Sequence, residues 1–134
     1  MLVRSAVILG LLLGTMSAPL AAQRVHQVKL VHGATDQFRF DPGRVNARAG
    51  DVLEFVVQSG GPYVVGFEAA DLHEADQALL DQAIPDRSGP LRGPVLGGTG
   101  SRFRIVIPGL PRGKYRFTCV THVAYRMGGV LVIQ

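Results

Sequence analysis

The sequence predicts an all-β fold: a two-layer β-sandwich carrying one short helix in an insertion. Three observations lead there. Apolar and polar residues alternate over short runs, most clearly Phe103-Ile105-Ile107 and Tyr115-Phe117-Cys119, which is the period of a strand with one buried face. Turn formers punctuate the chain, with 17 Gly and 8 Pro in 134 residues. Only residues 71–84 repeat their apolar side chains at helical spacing. A chain of this length makes one domain and can bury a core without disulfide staples.

Met1 to Ala22 is read as a signal peptide and residues 23–134 as the mature domain. A basic start at Arg4, an apolar run from Ala6 to Leu13 and small residues from Ser17 to Ala22 fit an exported leader cut after Ala22. Eight apolar residues ended by Gly14 and Pro19 are too few to span a bilayer. The mature protein is therefore expected to be periplasmic or secreted, without a membrane anchor, and monomeric.

The mature elements follow in order. Val25–Val31 reads as a first strand, with His26 and His32 at its ends as surface residues, and Gln37–Phe40 as a second, with Phe38 and Phe40 on one face. Asp41-Pro42-Gly43 turns the chain. Val45 and Ala47 form a strand, Gly50-Asp51 a hairpin-like turn, and Leu53, Phe55 and Val57 a returning strand on the same side. Gln58 to Pro62 is a Gly-rich loop leading into a strand at Tyr63–Phe67. From Asp71 to Ile84, Leu72, Ala75, Leu79 and Ala83 mark one face of a helix; Asp71 with Glu74 suggests a capping box, and Pro85 ends the run. Ser88 to Gly100 reads as a long loop. Strands resume at Arg102–Ile107, at Tyr115–Cys119 and at Val130–Ile133.

Charge excludes some functions. Without Arg4 the formal net charge falls from +4 to +3, and Glu68, Asp71, Glu74, Asp76, Asp81 and Asp86 share one segment with no Lys or Arg between them. That asymmetry could steer a charged partner. The arginines are scattered and not interleaved with aromatics, which argues against nucleic acid.

The chemistry concentrates in Cys119-Val120-Thr121-His122-Val123-Ala124-Tyr125-Arg126-Met127. Here a thiol, an imidazole and a thioether lie within nine residues, the soft and borderline donors that suit copper. Cys119 is the chain's single cysteine, so it has no disulfide partner within the chain. In an exported protein it is left buried, paired with another chain, or held by a metal.

These residues carry a resemblance. Phe40-x-Pro42-x-x-Val45 leading into Gly50-Asp51-x-Leu53-x-Phe55 is similar to the cupredoxins, the small blue copper proteins of the plastocyanin and azurin type. So is Leu110-x-x-Gly113-x-Tyr115-x-Phe117-x-Cys119-x-x-His122-x-x-x-x-Met127-x-Gly129. The resemblance covers about Val25 to Gln134 and is loosest from Glu68 to Gly100. It implies a Greek-key sandwich, one copper ion cycling between Cu(I) and Cu(II), and single-electron carriage between redox partners. It also implies that Cys119 is the thiolate ligand, His122 an imidazole ligand and Met127 the axial ligand. The family's first histidine falls where this chain has Tyr63, four residues before Phe67; Val64 replaces an Asn that helps hold the copper loops together, and Arg126 stands where Gly is common.

Three alternatives stay open at Tyr63. It could ligate copper as phenolate, lowering the potential and altering the colour. Cys119, His122 and Met127 could hold copper without it, which suits Cu(I) storage or delivery. Or the domain could be a metal-free binding module. An enzyme is not expected: four histidines in one domain cannot build the extra clusters of copper oxidases, and no third group orients a Cys119–His122 pair.

Overall fold

The computed structural model describes Gly14 and residues 22–134. The expected leader lies outside them save for Gly14 and Ala22. Among the described residues, eight strands and one α-helix follow in chain order: β1 Val25–His32, β2 Phe38–Asp41, β3 Arg44–Ala47, β4 Val52–Val57, β5 Val65–Phe67, α1 Glu74–Ala83, β6 Arg102–Val106, β7 Gly113–Cys119 and β8 Gly128–Ile133. A 3-10 segment, Val120–Tyr125, joins β7 to β8. The strands form two four-stranded sheets, ordered β2-β1-β4-β6 and β3-β8-β7-β5, with β1·β4 and β3·β8 parallel and the other neighbours antiparallel. The all-β sandwich read from the sequence is the observed fold.

Alternation places the core. Val28, Leu30, Phe40, Leu53, Phe55, Val57, Phe103 and Ile105 point inward from the first sheet, and Val45, Ala47, Val65, Phe67, Tyr115, Phe117, Leu131 and Ile133 from the second; all are buried. Phe117 is the hub. Its ring meets Phe40 edge-on at 4.9 Å, Phe55 at 5.2 Å and Phe67 at 5.9 Å, arrangements that aromatic quadrupoles favour. Gly129 is required beneath it, because a Cβ there would come within 2.4 Å of the Phe117 ring.

Two expectations need correcting. Residues 45–47 and 52–57 do not form a hairpin: β3 pairs with β8 in one sheet and β4 with β1 and β6 in the other, so the turn at Gly50-Asp51 crosses the sandwich. Both strands still face the same core, which is why alternation alone could not tell the two arrangements apart. The helix begins at Glu74 with His73 as N-cap and no side-chain cap bond, so the Asp71 capping box does not form. Its buried face is Leu80 with Ile84 beyond its end, while Ala75 and Leu79 are exposed. Residues 88–100 form the long loop expected, without strand or helix, and it is pinned against the second sheet. Tyr63 N–H donates to Leu96 O at 2.9 Å and Leu96 N–H returns to Tyr63 O at 2.8 Å. Gly93 N–H donates to Val65 O at 2.8 Å, and Leu91 and Leu96 are buried.

Candidate metal centre

Register brings the expected donors to one end of the second sheet. Thr118 pairs with Gly128 across β7 and β8, and one step further the Cys119 N–H donates to Met127 O at 3.0 Å. Residues opposed in this way put their side chains on the same face, with Cβ atoms about 4.5–5.5 Å apart. Both side chains point into the sandwich and are buried, Cys119 at 0% and Met127 at 1% exposure. Arg126 makes this possible by taking the left-handed conformation at φ +56°, where glycine is the easier residue. The chain thus turns into β8 with Arg126 outside and Met127 inside.

His122 comes back over Cys119 from the 3-10 segment. Its Nδ1 lies 3.3 Å from Cys119 Sγ, and Thr121 Oγ1 lies 3.2 Å from that sulfur and 3.0 Å from that nitrogen. The Thr121 hydroxyl donates to Pro62 O at 3.2 Å, so toward the thiol and the imidazole it serves as acceptor. This bond and Val120 N–H to Val64 O at 2.7 Å tie the donor loop to the Gly-rich loop. Thr121 therefore does the loop-bridging that the resemblance gives to an Asn at position 64. Burial, then the neighbouring His32, push the His122 imidazole below its ordinary pKa, which favours the neutral ring; Nδ1, which donates to Thr121 here, can hold a metal once the ring's proton sits on Nε2.

Tyr63 stands on the same inner face, two residues before Val65, which is the β5 partner of Cys119. It is fully buried, with its ring 5.1 Å from that of His122. Its hydroxyl donates to Ser59 O at 2.6 Å and bonds none of the other candidate donors. Burial, then the Cys119 thiolate charge, raise the phenol above its ordinary pKa and keep it protonated.

Four neighbours escaped sequence reasoning. Phe38 stacks on His122 at 4.0 Å and on His32 at 4.3 Å, and Tyr125 leans on Phe38 at 4.8 Å. Ser59 holds the phenol. Phe38, sharing a face with Phe40, and Tyr125, between His122 and Met127, were usable signals; the strand end that brings His32 alongside was not.

The donor set suits a soft ion. A tetrahedral first-row metal, with bonds of about 2.3 Å to thiolate and about 2.0 Å to imidazole, sets those atoms roughly 3.5 Å apart, close to the observed Sγ–Nδ1 separation. Two sulfurs and one nitrogen fit copper, Cu(I) above all. Among the described residues no three His, Cys, Asp or Glu side chains gather, so a harder, oxygen- or imidazole-rich site is not formed.

This sandwich, with its buried thiol at the end of β7 and a His–Met loop leading into β8, is the fold of the cupredoxins. Similar solved structures include the oxidised plastocyanin of Dryopteris crassirhizoma, with a TM-score of 0.64 and 21% identity over 81% of this chain and 100% of that one. A reduced Cu(I) amicyanin variant gives 0.56 and 17% over 86% of each chain. A pseudoazurin from Methylobacterium extorquens AM1 gives 0.55 and 20% over 81% and 74%. No protein-family model and no curated protein sequence matches the chain.

Proposed function

We propose that this chain is an exported copper protein in which Cys119, His122 and Met127 hold one copper ion, and that it passes single electrons between redox partners. The observation that carries the reading is the 3.3 Å approach of Cys119 Sγ to His122 Nδ1, with Met127 buried directly across the strand pair. Both donor atoms are bonded only to each other and to Thr121, so a metal can replace those contacts without unpairing any other group.

Each part of the chain has a task in this reading. Copper, when bound, supplies a one-electron couple. Burial of Cys119 keeps the thiolate from solvent oxidants, and Phe38 and Thr121 orient the His122 ring, as outer-shell partners do at metal centres. Val123 and Tyr125, 64% and 48% exposed beside His122, offer an apolar contact for a partner close to the metal. A second reading, Cu(I) storage or delivery, is favoured by the Tyr63 hydroxyl being bonded to Ser59 rather than turned to the donors.

Copper titration tests the function. The mature chain is expected to take up one equivalent of copper, protecting Cys119 from a thiol reagent, and Cys119→Ser is expected to abolish uptake. A protein that stays copper-free after both Cu(I) and Cu(II) titration, with Cys119 equally reactive throughout, would instead be a metal-free binding module.

A further inference from the structure

The inner face of β8, β7 and the segment before β5 presents Met127, Cys119 and Tyr63 side by side, with His122 above them. Three of these are soft or borderline donors. The fourth is a phenol, and its oxygen is committed elsewhere. Tyr63 is held at three points: both of its backbone groups are bonded to Leu96, and its hydroxyl to Ser59 O. The Ser59–Gly60 backbone closes over that hydroxyl, since a Cβ on Gly60 would lie 2.6 Å from it and 2.7 Å from the Cβ of His32. Phe38, with its ring 6.4 Å away and edge-on, and His122 at 5.1 Å flank the phenol ring. Turning the oxygen toward a metal beside Cys119 would break a short hydrogen bond and move a fully buried ring out of a packed slot, both unfavourable.

We propose that Tyr63 is a plug and not a ligand: its ring occupies the position a fourth donor would take, leaving Cys119, His122 and Met127 as a three-donor centre that selects Cu(I) over Cu(II). The inference rests on the copper-binding reading above and deepens it. Cu(I) accepts low coordination by soft sulfur, whereas Cu(II) seeks more nitrogen or oxygen donors in a tetragonal arrangement. A phenol that neither ligates nor leaves denies Cu(II) that extra donor. Reduction is thereby favoured, so as an electron carrier this protein would be a strong acceptor. The residue at position 63 sets this bias without touching the ion.

The test compares mature wild type with Tyr63→Phe and Tyr63→His, using Cu(I) competition against a chromophoric chelator and Cu(II) titration followed by visible absorption. Wild type and Tyr63→Phe are expected to hold Cu(I) within about threefold of one another and to give no intense visible band with Cu(II). Tyr63→His, which supplies a second imidazole, is expected to bind Cu(II) about tenfold or more tightly than wild type and to develop an intense thiolate charge-transfer colour. Phenolate vibrations in the resonance Raman spectrum of wild type with Cu(II) would overturn the proposal without any variant. So would a Tyr63→Phe protein that folds but loses Cu(I). Failure of every form to bind copper in either oxidation state would instead remove the copper reading itself.

Discussion

Polar side chains are buried in two quite different ways in this molecule. On the outer face of the first sheet, Glu54 is 2% exposed and accepts from Gln27 Nε2 at 2.9 Å and from Arg104, with Arg102 Nη1 3.8 Å away. Asp51, at the sandwich end away from Cys119, is bonded to His26 Nε2 at 2.9 Å and to the N–H groups of Arg48 and Arg24. All four carboxylate oxygens there have partners within the fold. Around Cys119 the side-chain donors instead face one another: the thiol, the Thr121 hydroxyl and the His122 nitrogen make a triangle with sides of 3.0–3.3 Å. The difference separates polar groups that complete the fold from groups that remain spare once it is complete. Spare, convergent and soft is the description of a metal site.

Substitutions can break that contrast, and the largest effects are expected where the sandwich depends on packing. Phe117→Ala removes the hub of the aromatic core and is expected to cost about 3–5 kcal/mol in denaturant unfolding, with copper binding lost only in step with the folded fraction. Gly129→Ala forces a Cβ into the Phe117 ring and is expected to cost about 1–3 kcal/mol by the same measurement.

Charge effects come next. Glu54→Ala is expected to cost about 1–3 kcal/mol by stripping Gln27, Arg104 and Arg102 of their acceptor. Both carboxyls are held below the ordinary range, Glu54 first by its Gln27 bond and then by Arg104, and Asp51 first by its His26 bond. Their contribution is therefore complete above the unfolded carboxylate pKa of about 4 and is lost as pH falls through the lowered folded values. The urea midpoint of wild type is expected to fall in two steps: a small one as pH drops below about 6.5, where the unfolded chain protonates its histidine before the folded chain protonates His122, and a larger one below about pH 4 from the two carboxyls.

The smallest stability effect belongs to the spare group. His122→Ala forfeits a stack on Phe38, about 1 kcal/mol, while weakening copper binding about tenfold or more and leaving the two sulfurs to hold Cu(I). A large loss of stability in that variant would move His122 into the first class and weaken the contrast.

Much of the donor end was legible in the sequence because its determinants are local. Tyr115-Phe117-Cys119 alternates along one strand, and the intervals to His122 and Met127 fit a loop that returns to the next strand. What was hidden depends on distant segments. The partners of β3 and β4 lie 86 and 27 positions away along the chain, at Ala47↔Ile133 through β8 and Val25↔Val52 through β1, and short strands of similar composition do not specify which sheet they join. Leu80 rather than Leu79 packs inward because the sandwich, not the helix's own period, decides which side is covered. His32 reads as a surface residue from its neighbours in sequence, yet it stacks on the ring that stacks on His122. The Ser59 bond that fixes Tyr63 bridges four residues of a Gly-rich loop whose conformation composition could not give.

X-ray absorption at the copper edge of the Cu(I)-loaded domain, residues 23–134, tests the central claim most directly. The account predicts one copper ion with a first shell of two sulfur scatterers and one nitrogen, the nitrogen absent in His122→Ala and one sulfur absent in Met127→Leu. A shell of nitrogen and oxygen alone, unchanged in both variants, would contradict it.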